Sequence, residues 1–114
     1  MRIINVTRQK AIGETVKQAV SFFGRLMGLL ATERLPAGAG LIIKPCNSVH
    51  TFAMRYPIDV VFVDKSNIVI AAVSRLKPSR LALQRRAEYV VELPAGTIEA
   101  TLTQPGDKLE LQAD

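Results

Sequence analysis

Two neighbouring runs, Ile58-Asp59-Val60-Val61-Phe62-Val63 and Ile68-Val69-Ile70-Ala71-Ala72-Val73, are separated only by Asp64-Lys65-Ser66-Asn67. Both runs are rich in β-branched side chains, which lose rotamer freedom in a helix and pack well on a pleated sheet. The four polar residues between them make a turn, so the pair reads as an antiparallel hairpin. Both arms are almost wholly apolar, which places the hairpin at the centre of a sheet. Whatever else this chain does, it must build a β-rich fold around residues 58–73.

Further elements follow on either side. Arg2-Ile3-Ile4-Asn5-Val6 begins as a short strand. Ser21 is an N-cap for a helix over residues 22–31, where Phe23, Leu26, Met27 and Leu30 fall on one face. Gly24 and Gly28 weaken that helix but permit close packing. Pro36-Ala37-Gly38-Ala39-Gly40 makes a turn, and Leu41-Ile42-Ile43 is a buried strand stopped by Pro45. Tyr89-Val90-Val91-Glu92-Leu93 is another strand. A short helix over residues 98–103, the turn Pro105-Gly106-Asp107 and a last strand, Lys108-Leu109-Glu110-Leu111, close the chain. At 114 residues this is enough for one domain, residues 1–114, and too little for two separate cores. The expected fold is α+β and β-dominated, a compact antiparallel sandwich or barrel with one or two short helices.

Composition excludes some functions. With 48% hydrophobic and 22% charged residues the chain is not disordered. It has no apolar run long enough to cross a bilayer and no signal core at Met1-Arg2-Ile3-Ile4, so no membrane insertion is expected. The single cysteine cannot form an internal disulfide. A cytoplasmic protein, or the mature form of an exported precursor, fits these features. The net charge of +5 is unevenly placed: residues 1–86 carry 14 basic and 4 acidic side chains, and residues 87–114 carry 1 and 6. The densest basic run is Arg75, Lys77, Arg80, Arg85 and Arg86. Such a patch binds phosphates or a nucleic-acid backbone, although Trp is absent and stacking aromatics are few.

The chemistry-bearing residues concentrate just before the central hairpin. Residues 45–56 hold the only cysteine, Cys46, and the only histidine, His50. Asn47, Ser48, Thr51, Arg55 and, a little further on, Asp59 accompany them. Short polar side chains beside a strand hydrogen-bond loop backbone or a ligand. Arg55 can pair with Asp59 or clamp an anion. The leading expectation is a non-catalytic domain that binds a small polar or anionic ligand, or a peptide. Its pocket is lined by Asn47, Ser48, His50, Thr51, Arg55 and Asp59, with Phe52 and Met54 shaping an apolar wall. The alternative is a hydrolase or transferase with Cys46 as nucleophile, His50 as base and Asp59 as the orienting acid. A third reading is an RNA- or phosphate-binding surface on the basic run. One Cys and one His fall short of a zinc ligand set, so neither metal nor cofactor is expected.

The segment Pro45-Cys46-Asn47-Ser48-Val49-His50-Thr51-Phe52-Ala53-Met54-Arg55-Tyr56-Pro57-Ile58-Asp59-Val60-Val61-Phe62-Val63-Asp64 resembles the signature of the uncharacterised family called domain of unknown function 192. Arg25-Leu26-Met27-Gly28-Leu29, Leu35-Pro36-Ala37-Gly38 with Gly40-Leu41, Leu76-Lys77-Pro78, Leu93-Pro94-Ala95-Gly96-Thr97 and Pro105-Gly106-Asp107-Lys108-Leu109 match it in order. The resemblance implies one compact β-rich domain with minor helix, found in cytoplasmic and exported forms, and supplies no activity. Two positions depart from the family pattern. Ser79 stands where Trp usually follows Lys-Pro, and Ala53 stands where Phe or Gly is common.

Overall fold

The computed structural model describes residues 1–19, 35–52 and 54–114. Along them run β1 (Arg2–Asn5), β2 (Lys10–Gly13), β3 (Thr15–Ala19), β4 (Ala39–Ile43), β5 (Ser48–His50), β6 (Ile58–Val63), β7 (Val69–Leu76), β8 (Leu81–Leu83), β9 (Tyr89–Pro94), α1 (Thr97–Thr101) and β10 (Leu109–Gln112). The helix expected over residues 22–31 and the departure at Ala53 lie outside the described residues.

The predicted hairpin is β6 and β7, paired antiparallel. Its turn is set by Asp64, whose Oδ1 accepts the N–H groups of Ser66 (2.8 Å) and Ile68 (3.0 Å). This is the local competition for backbone donors that makes Asp a turn residue. The Tyr89 hydroxyl donates to Asn67 Oδ1 at 2.9 Å and ties the turn to β9.

β6 lies inside a five-stranded sheet of order β3-β4-β9-β6-β7. All six of its residues are buried, which explains why this strand does not alternate. Its side chains feed two cores in turn. Val61 and Val63 join Val91 and Leu93 of β9 with Ile3, Ile12, Ile98 and Leu109. Ile58, Val60 and Phe62 join Val90 with Val49, Met54 and Tyr56. The first face is therefore covered by the three-stranded sheet β10-β1-β2 and by α1, the second by the ribbon β5-β8 and residues 54–56. Each large apolar side chain so enclosed contributes about 1.5–3 kcal/mol relative to exposure.

The result is a layered β-dominated α+β fold without a closed barrel. The named pairs are antiparallel except β3 with β4, which run parallel. Four strands go beyond the sequence reading. β2 and β3 carry no long apolar run. β5 and β8 are three residues each and lie in stretches dominated by polar and basic side chains.

Candidate functional site

Asp59 organises the most unusual geometry in the fold. It sits in the middle of the apolar core and is fully buried. Opposite it the β6–β7 ladder slips. Ile58 pairs with Leu76 and Val60 with Val73, so two steps on β6 face three on β7. The extra residue is a bulge, a device that re-aims a side chain. Arg75, within it, takes a left-handed backbone (φ 53°), which costs an L-residue about 1–2 kcal/mol. Asp59 stabilises that conformation directly, since its Oδ1 accepts the Arg75 N–H at 2.8 Å.

The other carboxylate oxygen of Asp59 serves α1. This helix starts after Gly96 (φ 99°), whose lack of a side chain leaves the helix without a local cap. Asp59 Oδ2 accepts the N–H of Ile98 at 2.7 Å. A strand residue thus does the work of an N-cap from 39 positions away. The sequence reading expects Arg55 or His50 to meet this carboxylate. Two backbone amides meet it instead, and Arg55 is exposed.

Beside this junction lies a cleft of about 330 Å³, lined by Leu35, Tyr56, Pro57, Arg75, Pro94 and Ala95. Arg75 is the charged group among the described lining residues. Its Nε donates to Glu99 Oε1 at 3.0 Å, and Ser74 Oγ donates to the same oxygen at 3.2 Å. The hydrogen bond from Arg75, then that from Ser74, hold the Glu99 carboxyl below its ordinary value. A Cβ on Gly96 would lie 3.4 Å from an Arg75 terminal nitrogen, so the missing side chain gives the guanidinium its place. Tyr56 is buried, and its sealed hydroxyl has no hydrogen-bond partner among the described residues.

The remaining candidates fall elsewhere. Thr51 is fully buried and acts as a staple for residues 77–80. Its Oγ1 donates to Lys77 O (2.6 Å) and accepts from Arg80 N (2.8 Å), while its backbone N–H donates to Arg80 O and its carbonyl accepts from Ser79. Ser48 and His50 stand on the outer face of β5, and Val49 between them points into the core. The His50 ring stacks on Phe52 with centroids 5.0 Å apart. The Cys46 thiol donates to the Ser48 carbonyl at 3.0 Å. A smaller hollow of about 230 Å³ lies beside Pro45, Cys46, Asn47 and Ala87. Arg75, Lys77, Arg80, Arg85 and Arg86 are all exposed, and Arg75 is separated from the others by its engagement with Glu99 and the cleft. Among the described residues no group of three or more His, Cys, Asp or Glu could hold a metal ion.

The sequence reading singles out Asp59, which lies at this junction, but not Tyr56, Pro57, Pro94 and Ala95 as cleft walls. The signal was present. Pro94-Ala95-Gly96 follows a buried strand directly, and glycine there permits a positive φ beside another chain segment.

The architecture defines a small β-dominated α+β domain whose buried aspartate fixes a strand bulge and a helix start beside a cleft. The chain belongs to the family described as Uncharacterized ACR, COG1430, whose model matches residues 3–111. It is 38% identical to a UPF0127 protein of Pyrococcus furiosus over 114 residues, covering 95% of this chain and 96% of that one. Two crystal structures share the fold. One, from Sinorhizobium meliloti and provisionally named a transcription regulator, has a TM-score of 0.80 at 23% identity, covering 96% of this chain and 89% of that one. The other, a protein of unknown function from Novosphingobium aromaticivorans, has a TM-score of 0.76 at 18% identity, covering 96% and 82%.

Proposed function

We propose that the protein is a non-catalytic binding domain that takes a small organic anion, a carboxylate in the first place, in the cleft between Tyr56, Pro57, Arg75, Pro94 and Ala95. The observation that carries this reading is the placement of Arg75. A residue in a costly backbone conformation, held there by a buried aspartate, presents the one charged side chain among the described residues that line the cleft. Strain of this kind persists where the surroundings over-determine it and clusters at ligand sites. The cleft volume is at the small end of the range for ligand pockets.

A guanidinium presents five N–H donors in a planar fork that matches a carboxylate. Glu99 occupies the Nε donor, and among the described residues the terminal nitrogens stay open to grip a ligand. Both partners of that ion pair are more than half exposed, so the pair contributes little and yields to a competitor. Ring and methylene surfaces of Tyr56, Pro57 and Pro94 would cover the ligand's carbon skeleton. Asp59 is then a positioning residue, acting through Arg75 and α1.

Isothermal titration with citrate, glutarate and inorganic phosphate tests the reading. Binding of at least one carboxylate is expected, weakened about tenfold in Arg75→Ala. Glu99→Gln should bind more tightly than wild type, because it removes a competing carboxylate and a like charge. Equal affinity in wild type and Arg75→Ala, or no heat with any of the three anions, would refute it.

A further inference from the structure

The ribbon β5–β8 presents a second and separate feature. Its register pairs Ser48 with Leu83, Val49 with Ala82 and His50 with Leu81. Side chains directly opposite on an antiparallel pair share a face. Val49 is buried in the core and Ala82 packs partly against it, so Leu81, Leu83, Ser48 and His50 occupy the outer face. Leu81 is 68% exposed and Leu83 57% exposed, and Phe52, stacked on His50, is 53% exposed. These are three of the five large hydrophobic side chains that are exposed among the described residues, gathered on one short ribbon. Solvent-facing residues of a two-stranded ribbon are ordinarily polar; a contiguous apolar group there marks a contact surface.

Charge indicates what makes the contact. Lys77 and Arg80 stand at the Thr51 end of the ribbon, where Thr51 Oγ1 bonds both segments. Arg85 and Arg86 follow directly at the other end, where the Gln84 N–H donates to the Asn47 carbonyl. All four cations are exposed, and the sequence from residue 65 to 87 contains no acid. The face is thus an apolar strip between two basic ends.

We infer that this face docks an extended protein segment in which leucine or phenylalanine anchors at every second position are flanked at both ends by acidic residues. The anchors would cover Phe52, Leu81 and Leu83 while the acids meet Lys77, Arg80, Arg85 and Arg86. Anchors at every second position are the natural match, because alternate side chains of an extended chain point to the same strand face, and acids beyond them reach the basic ends. A protein segment fits better than a lipid surface, because the Ser48 hydroxyl stands among the apolar side chains and needs a hydrogen-bonding neighbour that hydrocarbon lacks. It fits better than RNA, because aliphatic leucines stack poorly on bases. This site is independent of the Arg75 cleft.

The test is fluorescence anisotropy with a fluorescein-labelled Glu-Glu-Leu-Ser-Phe-Ser-Leu-Glu-Glu peptide and the same peptide with lysine in place of glutamate. The acidic peptide should bind, more weakly as salt rises from about 50 to about 500 mM. The lysine peptide should not bind. Leu81→Ser/Leu83→Ser should weaken binding about tenfold, and Arg80→Ala/Arg85→Ala/Arg86→Ala should weaken it and flatten its salt dependence. All these side chains are exposed, so an unchanged circular dichroism melt shows that the fold is kept. Absence of binding at low salt, equal binding by both peptides, or wild-type affinity in the leucine variant overturns the inference. So does retention of phosphatidylserine vesicles or single-stranded RNA in place of the acidic peptide. Self-association of the protein that disappears in the leucine variant, without peptide binding, overturns it as well.

Discussion

Asp59 shows how one side chain can join distant parts of a fold without an ion pair. A carboxylate at the centre of the most apolar strand needs donors, since burial without them is costly. It finds them in the Arg75 and Ile98 amides, two backbone groups that the bulge and the glycine-led helix start leave without ordinary partners. The expected energetics follow from those bonds. Asp59→Ala strands one buried and one partly buried N–H group and should reduce unfolding free energy by about 2–5 kcal/mol. Asp59→Asn should lose less, because the amide oxygen still accepts one bond while its NH₂ faces the other donor. Urea denaturation of both variants measures this. Wild-type stability in Asp59→Ala would mean that neither amide depends on the carboxylate.

Short elements here are held by polar pins as much as by apolar contact. The turn at residues 104–107 is fastened to β1 through Asp107 Oδ2. That oxygen accepts Asn5 Nδ2 (2.9 Å), Arg8 Nε (3.1 Å) and the Gln104 N–H (3.1 Å). Burial works to raise the Asp107 pKa, but the bonds from Asn5, Arg8 and Gln104, with the Arg8 charge, outweigh it and hold it below the ordinary value. A lowered carboxyl pKa in the folded state stabilises the fold above the unfolded value of about 3.9. That contribution is lost as pH falls through the lowered value. Asp107→Asn should therefore be less stable at neutral pH and show a shallower fall in stability below about pH 4. Urea midpoints for the two proteins at a series of pH values check the sign; an identical acid slope would contradict it. The ribbon β5–β8 is the opposite case. Leu81 and Leu83 expose their side chains, so the short apolar run Leu81-Ala82-Leu83 forms a surface on its outer face.

On the scale of the whole molecule, the sequence made the layered plan legible at its centre and less so at its margins. The run at residues 58–63 is apolar throughout because both of its faces are covered, and that pattern identifies a central strand directly. The strand read at residues 89–93 shares that pattern, and the last strand was legible from the alternation of Lys108-Leu109-Glu110-Leu111. β5 and β8 were not, because three-residue strands carry too little periodicity to separate from a loop. The polar cluster at residues 46–59 was visible as a cluster, but its members divide among a surface ribbon, a loop staple and a buried junction. Local spacing cannot report that division, which is set by the register of β5 against β8 and by the bulge opposite Asp59. Arg75 looked like one charge in a basic run, and only its left-handed backbone sets it apart.

The central claim is that Arg75 and its surroundings form a binding cleft for a small anion. The most direct measurement is a ¹⁵N–¹H correlation spectrum of the labelled protein titrated with the carboxylate that binds most tightly. Amide shifts concentrated at Tyr56, Arg75, Ala95 and Gly96, and absent in Arg75→Ala, are the predicted result. Shifts that leave those four amides unmoved, or that persist unchanged in Arg75→Ala, would contradict it.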